Sequence, residues 1–209
     1  MLRTRATLTI ALAALALAAC TSQSPNPSAS ATPSMSPSAT HSAPATPTPS
    51  PTPTPTTDAQ DVTTPPARPD ALDGPASEEN AKAVGRYFLS LFPYAVATGD
   101  LTAVDALSGA GCKYCKHLRR IVTEIHDAGN HGTGGAYELG FTSAIQSGDG
   151  DFTVGIEYVE TPSRTVAPDG SVVEDFPDTY NMKAVLKLRW SGSSWTVEAG
   201  KATEFGGEG

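Results

Sequence analysis

The chain is short of long apolar runs, of positive charge and of cysteine. Its one extended apolar stretch runs from Ala6 to Ala19. A mature bilayer span needs roughly 20 such residues, and no later segment approaches that length. A transmembrane helix in the mature protein is therefore not expected. Lys and Arg number 14 against 22 Asp and Glu, a formal net charge of −8. That balance disfavours nucleic acid as a partner, because phosphate backbones are bound by excess positive charge. Cysteines number 3, and Cys112 and Cys115 are the two beyond the N-terminal region. Catalytic motifs are missing too. No serine or carboxylate stands at motif spacing from His126 or His131, so a surface or capping role suits both better than that of a catalytic base. The sequence implies no cofactor and no metal site.

What is present begins with an address. Arg3 and Arg5 precede the apolar stretch, which ends in Leu17-Ala18-Ala19-Cys20. A basic start, a short apolar core and small residues before a cysteine resemble a bacterial lipoprotein signal over residues 1–19. That resemblance implies a diacylglycerol on the Cys20 sulfur and Cys20 as the new N-terminus. An ordinary secretory signal with a chance cysteine is the alternative. Each buried CH₂ contributes about 0.8 kcal/mol, and one acyl chain holds only marginally, so two chains make a stable anchor. The expected location is the extracytoplasmic face of the cell membrane, held there by lipid.

Residues 20–69 form the next unit. Of 18 prolines, 13 fall between Thr21 and Pro69, among Ser, Thr and Ala. With almost no large apolar residues, this stretch cannot offset the entropy of ordering by burying a core. It reads as a disordered tether of polyproline II character, with an upper reach on the order of 150 Å at about 3.1 Å per residue. Its composition also suits an O-glycosylated stalk.

Residues 70–209 are enough for one domain with a core. Pro75 and Ser77 mark a helix start, with Glu78 and Glu79 in its first turn. Ala81, Val84, Phe88, Leu91 and Ala95 then recur at helical spacing. Pro93 is expected to kink or break this helix near Leu89. Gly99 suits a C-terminal cap and Asp100 an N-cap for a short second helix through Leu101, Val104 and Leu107. A third helix is expected from about Lys113 to Ala128, with Tyr114, Leu118, Ile121, Val122 and Ile125 as its apolar stripe. Gly129 to Gly135 reads as a break. Beyond it, three apolar sets alternate with polar residues: Tyr137, Leu139 and Phe141, then Phe152 to Tyr158, then Tyr180 to Trp190. Gly148-Asp149-Gly150 and Pro168-Asp169-Gly170 mark turns, the second carrying a short arm from Arg164 to Val173. Trp195, Val197 and Ala199 close the pattern.

Helices first and an antiparallel meander after them give an α+β fold, with the helices laid across one face of a curved sheet. This order, with the Ala97-Thr98-Gly99-Asp100-Leu101 junction, resembles the nuclear transport factor two-like, or cystatin-like, roll. The chain also resembles a family of uncharacterised actinobacterial lipoproteins through Tyr87-Phe88-Leu89, Tyr94-Ala95, Thr98-Gly99-Asp100, Ala106-Leu107-Ser108 and Cys112-Lys113-Tyr114-Cys115. That resemblance implies no activity. Some enzymes of the roll fold place an aspartate just after the second helix, where this chain has Ser108-Gly109-Ala110-Gly111-Cys112.

Three readings compete for Cys112 and Cys115. In an oxidising compartment a disulfide is expected, because Cα atoms three residues apart at a helix start lie about 5 Å apart. A thioredoxin-like redox pair lacks its β-α-β surroundings. A metal site with His117 is the third reading, though Cys115 and His117 lie about 160° apart on the helical wheel, where one ion does not easily take both. Lys113, Lys116, Arg119 and Arg120 crowd the wet face of the third helix, either as a docking patch for an anionic wall polymer or head group, or as a solvated surface. Tyr87, Tyr94, Phe141, Tyr158, Trp190 and Trp195 are candidate core or pocket aromatics. The expected function is a non-catalytic binding or scaffolding module of the cell envelope, whose partner is an envelope protein, a wall polymer or a small ligand. The alternatives are a small enzyme with a pocket between sheet and helices, and a thiol redox factor using Cys112 and Cys115.

Overall fold

The computed structural model describes residues 61–205. The leader 1–19, Cys20 and the tether as far as residue 60 lie outside the described residues, as do residues 206–209.

Helix α1 (Glu78–Thr98) starts where Ser77 Oγ accepts the Asn80 N–H at 3.1 Å, and stops at Gly99, whose φ of 77° only glycine adopts freely. Ala81, Val84, Phe88, Leu91 and Ala95 are all buried. The helix continues through Pro93 to Thr98, so the helix is not broken near Leu89. Pro93 removes one donor, but it is buried itself, and Leu89, Leu91 and Ala95 bury apolar surface on both sides of it. Packing outweighs the single lost hydrogen bond. The N-cap of α2 (Thr102–Leu107) is Leu101 and not the expected Asp100, which stands one residue earlier, accepts the Thr102 N–H at 2.9 Å and is held below the usual carboxyl range by its bonds with Thr102 and Tyr94. Helix α3 (Lys113–Asp127) buries Leu118 and Val122 and half-buries Tyr114, Ile121 and Ile125.

The strands form two antiparallel sheets. One has four strands in the order β2 (Tyr137–Gln146), β3 (Asp151–Glu160), β6 (Tyr180–Trp190), β7 (Trp195–Glu204). The other has three, in the order β1 (His131–Gly134), β4 (Ser163–Val166), β5 (Val172–Phe176). The arm inserted between β3 and β6 is thus a hairpin, and β1 pairs with it. Residues 129–135 were expected to be a plain break, yet they contain β1. The Gly-rich strand has no side-chain alternation to announce it. Gly132 is required because a Cβ there would collide with the Val96 side chain of α1.

Phe152, Val154, Ile156 and Tyr158 on β3 face the helices, paired with Leu188, Leu186, Ala184 and Met182 on β6. With Phe88, Leu89 and Val84 from α1 they form the core. Burying each large side chain contributes about 1.5–3 kcal/mol. Phe141 departs from expectation. A bulge between Leu139 and Thr142 shifts the register, so Phe141 turns out to 69% exposure and Ala144 takes the inward parity. Arg86 of α1 holds this bulge. Its Nη1 donates to Gly140 O at 2.8 Å and Thr142 Oγ1 at 2.9 Å, and its Nη2 to Leu139 O at 3.2 Å.

Described residues ahead of Asp70 also pack against the domain. Val62, Pro66 and Pro69, placed in the tether by composition, are half-buried in grooves shared with Lys82, Tyr87 and Tyr94 of α1. Arg68 pairs with Asp73 at 2.6 Å on the same approach. Among the described residues, no helix is long and apolar enough to cross a membrane.

Candidate functional site

A cavity of about 470 Å³ opens between the helices and the three-stranded sheet. Phe92, Pro93 and Val96 of α1 form one wall, and Ile121 and Ile125 of α3 a second. Thr133, Arg164, Thr165, Glu174 and Phe176 of the three-stranded sheet close it. The floor is the end of the four-stranded sheet, where Tyr137, Glu160, Tyr180 and Met182 meet.

Glu160 is the chemically distinctive group. It continues the inward parity of β3 after Phe152, Val154, Ile156 and Tyr158. Its neighbours across the sheet are Tyr137 on β2 and Tyr180 on β6. Among the described residues, no hydrogen bond or ion pair holds its carboxylate. Partial burial raises its pKa, because the apolar walls disfavour the charged form. The tyrosines behind it respond to the same surroundings. Burial pushes the Tyr114 phenol up to about 12, with the Glu160 charge adding to it. Tyr137 and Tyr158 are also raised by burial, and their rings pack at a 40° tilt with centroids 4.6 Å apart. All three phenols stay protonated near pH 7, so they can donate a hydrogen bond or a proton but carry no charge to pair with Glu160. Sequence reasoning passes over Glu160. The signal was its parity, a carboxylate in line with an apolar row.

The six aromatics singled out by sequence lie elsewhere. Tyr158 is buried behind Tyr137. Trp190 and Trp195 pack at a tilt with centroids 5.4 Å apart at the opposite end of the sheet, and Trp195 also meets Phe152. The Tyr94 hydroxyl donates to Asp100 at 3.1 Å, Tyr87 is half-buried outside the cavity, and Phe141 faces solvent. Neither histidine enters the cavity wall. His126 Nε2 lies 3.0 Å from Val96 O and serves the end of α1.

Cys112 and Cys115 are joined by a disulfide with Cα atoms 5.3 Å apart. Cys112 is the N-cap of α3, and its sulfur accepts the Cys115 N–H at 3.1 Å. The two residues are 0% and 2% exposed. A redox pair needs a sulfur open to attack, and burial removes it. His117 is exposed and contacts Arg120, so it does not converge with the two sulfurs. The four basic residues of α3 do lie on its exposed face. Arg119 pairs with Asp105, and Arg120 with Glu124 at 2.7 Å. Lys113 and Lys116 have no ion-pair partner among the described residues.

Comparison with curated proteins finds no match. Solved structures share the outline at low identity. The intermembrane-space region of the chloroplast protein ARC6 is 12% identical, with a TM-score of 0.49 over 63% of this chain and 99% of that one. An uncharacterised protein with a cystatin-like fold from Caulobacter vibrioides is 13% identical, with a TM-score of 0.42 over 62% of this chain and 92% of its own. An NTF2-like protein of unknown function in nutrient uptake from Rhodospirillum rubrum is 15% identical, with a TM-score of 0.39 over 57% and 97%. The family comparison is more direct: over residues 52–201 the chain matches, and so belongs to, the family of unknown function DUF6318.

Proposed function

We propose that this protein is a lipid-anchored, extracytoplasmic binding module whose α+β domain takes a small ligand with an apolar body. A diacylglycerol on Cys20 holds it to the membrane, and the Pro-rich tether carries the domain outward. The observation that carries the binding role is the cavity of about 470 Å³, with apolar walls and a single half-buried carboxylate at its floor. Concave, mostly apolar pockets with few polar groups suit small-molecule binding. The lining residues include no histidine and no cysteine, and no hydrogen bond joins the Glu160 carboxyl to another acid–base group among the described residues, which favours binding over catalysis. One observation favours an enzyme instead: a carboxyl with a raised pKa is suited to moving a proton.

Two measurements test this. Metabolic labelling with a fatty acid should mark the wild type and leave Cys20→Ala unlabelled. Label retained on the variant removes the anchor. A neutral fluorescent naphthylamine should bind the full-length protein, and Thr133→Trp, which fills the cavity from β1, should weaken that binding about tenfold. Equal binding by the two proteins places the probe elsewhere and removes the pocket.

A further inference from the structure

The charges around the cavity are of one sign wherever they are unpaired. Glu160, Glu174 and Glu204 line it, and Arg164 is the one cation in its wall among the described residues. Arg164 is already engaged, with its Nε 3.0 Å from Asp175 Oδ1. Glu174 receives one long hydrogen bond, from Thr165 Oγ1 at 3.5 Å. Glu160 and Glu204 have no partner among the described residues. Aromatic rings stand beside these carboxylates: Phe92, Tyr137, Phe176 and Tyr180 all line the same space.

Carboxylates next to ring faces are the chemistry that recognises an organic cation. The ring quadrupole attracts the cation, and the carboxylate neutralises it where water is partly excluded. A neutral ligand would desolvate Glu160 without pairing it, which is costly. An anion would meet three carboxylates and one neutralised guanidinium. We propose that the cavity selects an amine or quaternary ammonium group carried on an apolar body, with the cationic head at Glu160 and the body against Phe92, Ile121 and Phe176. This rests on reading the cavity as the ligand site. Glu160 is otherwise unexplained: a charge half-buried among apolar walls, with nothing among the described residues to pair it.

The test is calorimetric titration of full-length Cys20→Ala protein with three amphiphiles below their micelle concentrations. Decyltrimethylammonium should bind about tenfold more tightly than decanol, and decyl sulfate should bind most weakly. Glu160→Gln should erase most of that preference and leave the decanol affinity within about twofold. Glu204→Gln, at the exposed rim, should lower cation affinity by about twofold and covers the case in which Glu160→Gln misfolds. Decanol bound as tightly as the cation overturns the selectivity while the pocket survives. A cation preference unchanged in both glutamine variants also overturns it. Binding of none of the three probes removes the pocket and the selectivity together.

Discussion

In the four-stranded sheet, Phe152, Val154, Ile156 and Tyr158 of β3 are buried at every second position, whereas every residue of β5 in the three-stranded sheet is exposed. Both are antiparallel and both contain valine and phenylalanine, so propensity does not separate them. Position does. Helices cover one face of the four-stranded sheet, and its alternate residues become the core. The three-stranded sheet is short, Gly-rich in β1, and roofs a cavity instead of filling one. Phe88 and Phe176 show the contrast at one residue type: the first is 1% exposed in the core, the second 49% exposed at the cavity wall. The domain thus separates the part that forms its core from the part that walls the cavity.

The sharpest way to break that comparison is in the core. Phe88→Ala should cost about 3–5 kcal/mol, read from denaturant unfolding, because it leaves a cavity under α1. A loss below about 1 kcal/mol would mean that the core is not where stability lies. Opening the Cys112–Cys115 bridge comes next. Its closed loop is very short, so Cys112→Ala with Cys115→Ala should lower stability by about 2 kcal/mol without unfolding the domain. Thiol counting on oxidised protein should find neither cysteine free.

Glu160 should give a smaller effect with a diagnostic sign. Burial raises its pKa in the folded state above that of the unfolded chain. The folded protein therefore binds the proton more tightly. Stability from this group is full below the unfolded carboxyl range and is lost as pH rises through the folded value. Glu160→Gln cannot ionise. It should match the wild type in acid and be slightly more stable than it at neutral pH. A variant less stable at neutral pH would mean that Glu160 has a structural partner.

Much of this could be read from residue spacing. The stripe from Ala81 to Ala95, the Ser77 and Gly99 caps, the apolar stripe of α3 and the parity of β3 and β6 are local signals, and each matches a buried face. What escaped is non-local. The bulge that turns Phe141 outward is held by Arg86, more than fifty residues earlier in the chain. Strand β1 exists because β4 pairs with it, and its glycines carry no pattern of their own. Helix α1 continues through Pro93 because buried residues on both sides hold it in place. The cavity assembles from α1, α3 and all seven strands, so no single window of sequence contains it. Glu160 was visible as a parity, but its isolation follows only from what surrounds it in space.

The central claim is that ligand contact belongs to the cavity under the three-stranded sheet and not to the other apolar surface, Phe141 and Ile145 on β2, which are 69% and 66% exposed. Intermolecular nuclear Overhauser effects between decanol and the full-length Cys20→Ala protein decide between them directly. The account predicts contacts to Phe176, Met182 and Ile121, lost on filling the cavity with Thr133→Trp. Contacts confined to Phe141 and Ile145, or contacts to Phe176 that survive Thr133→Trp, would contradict it.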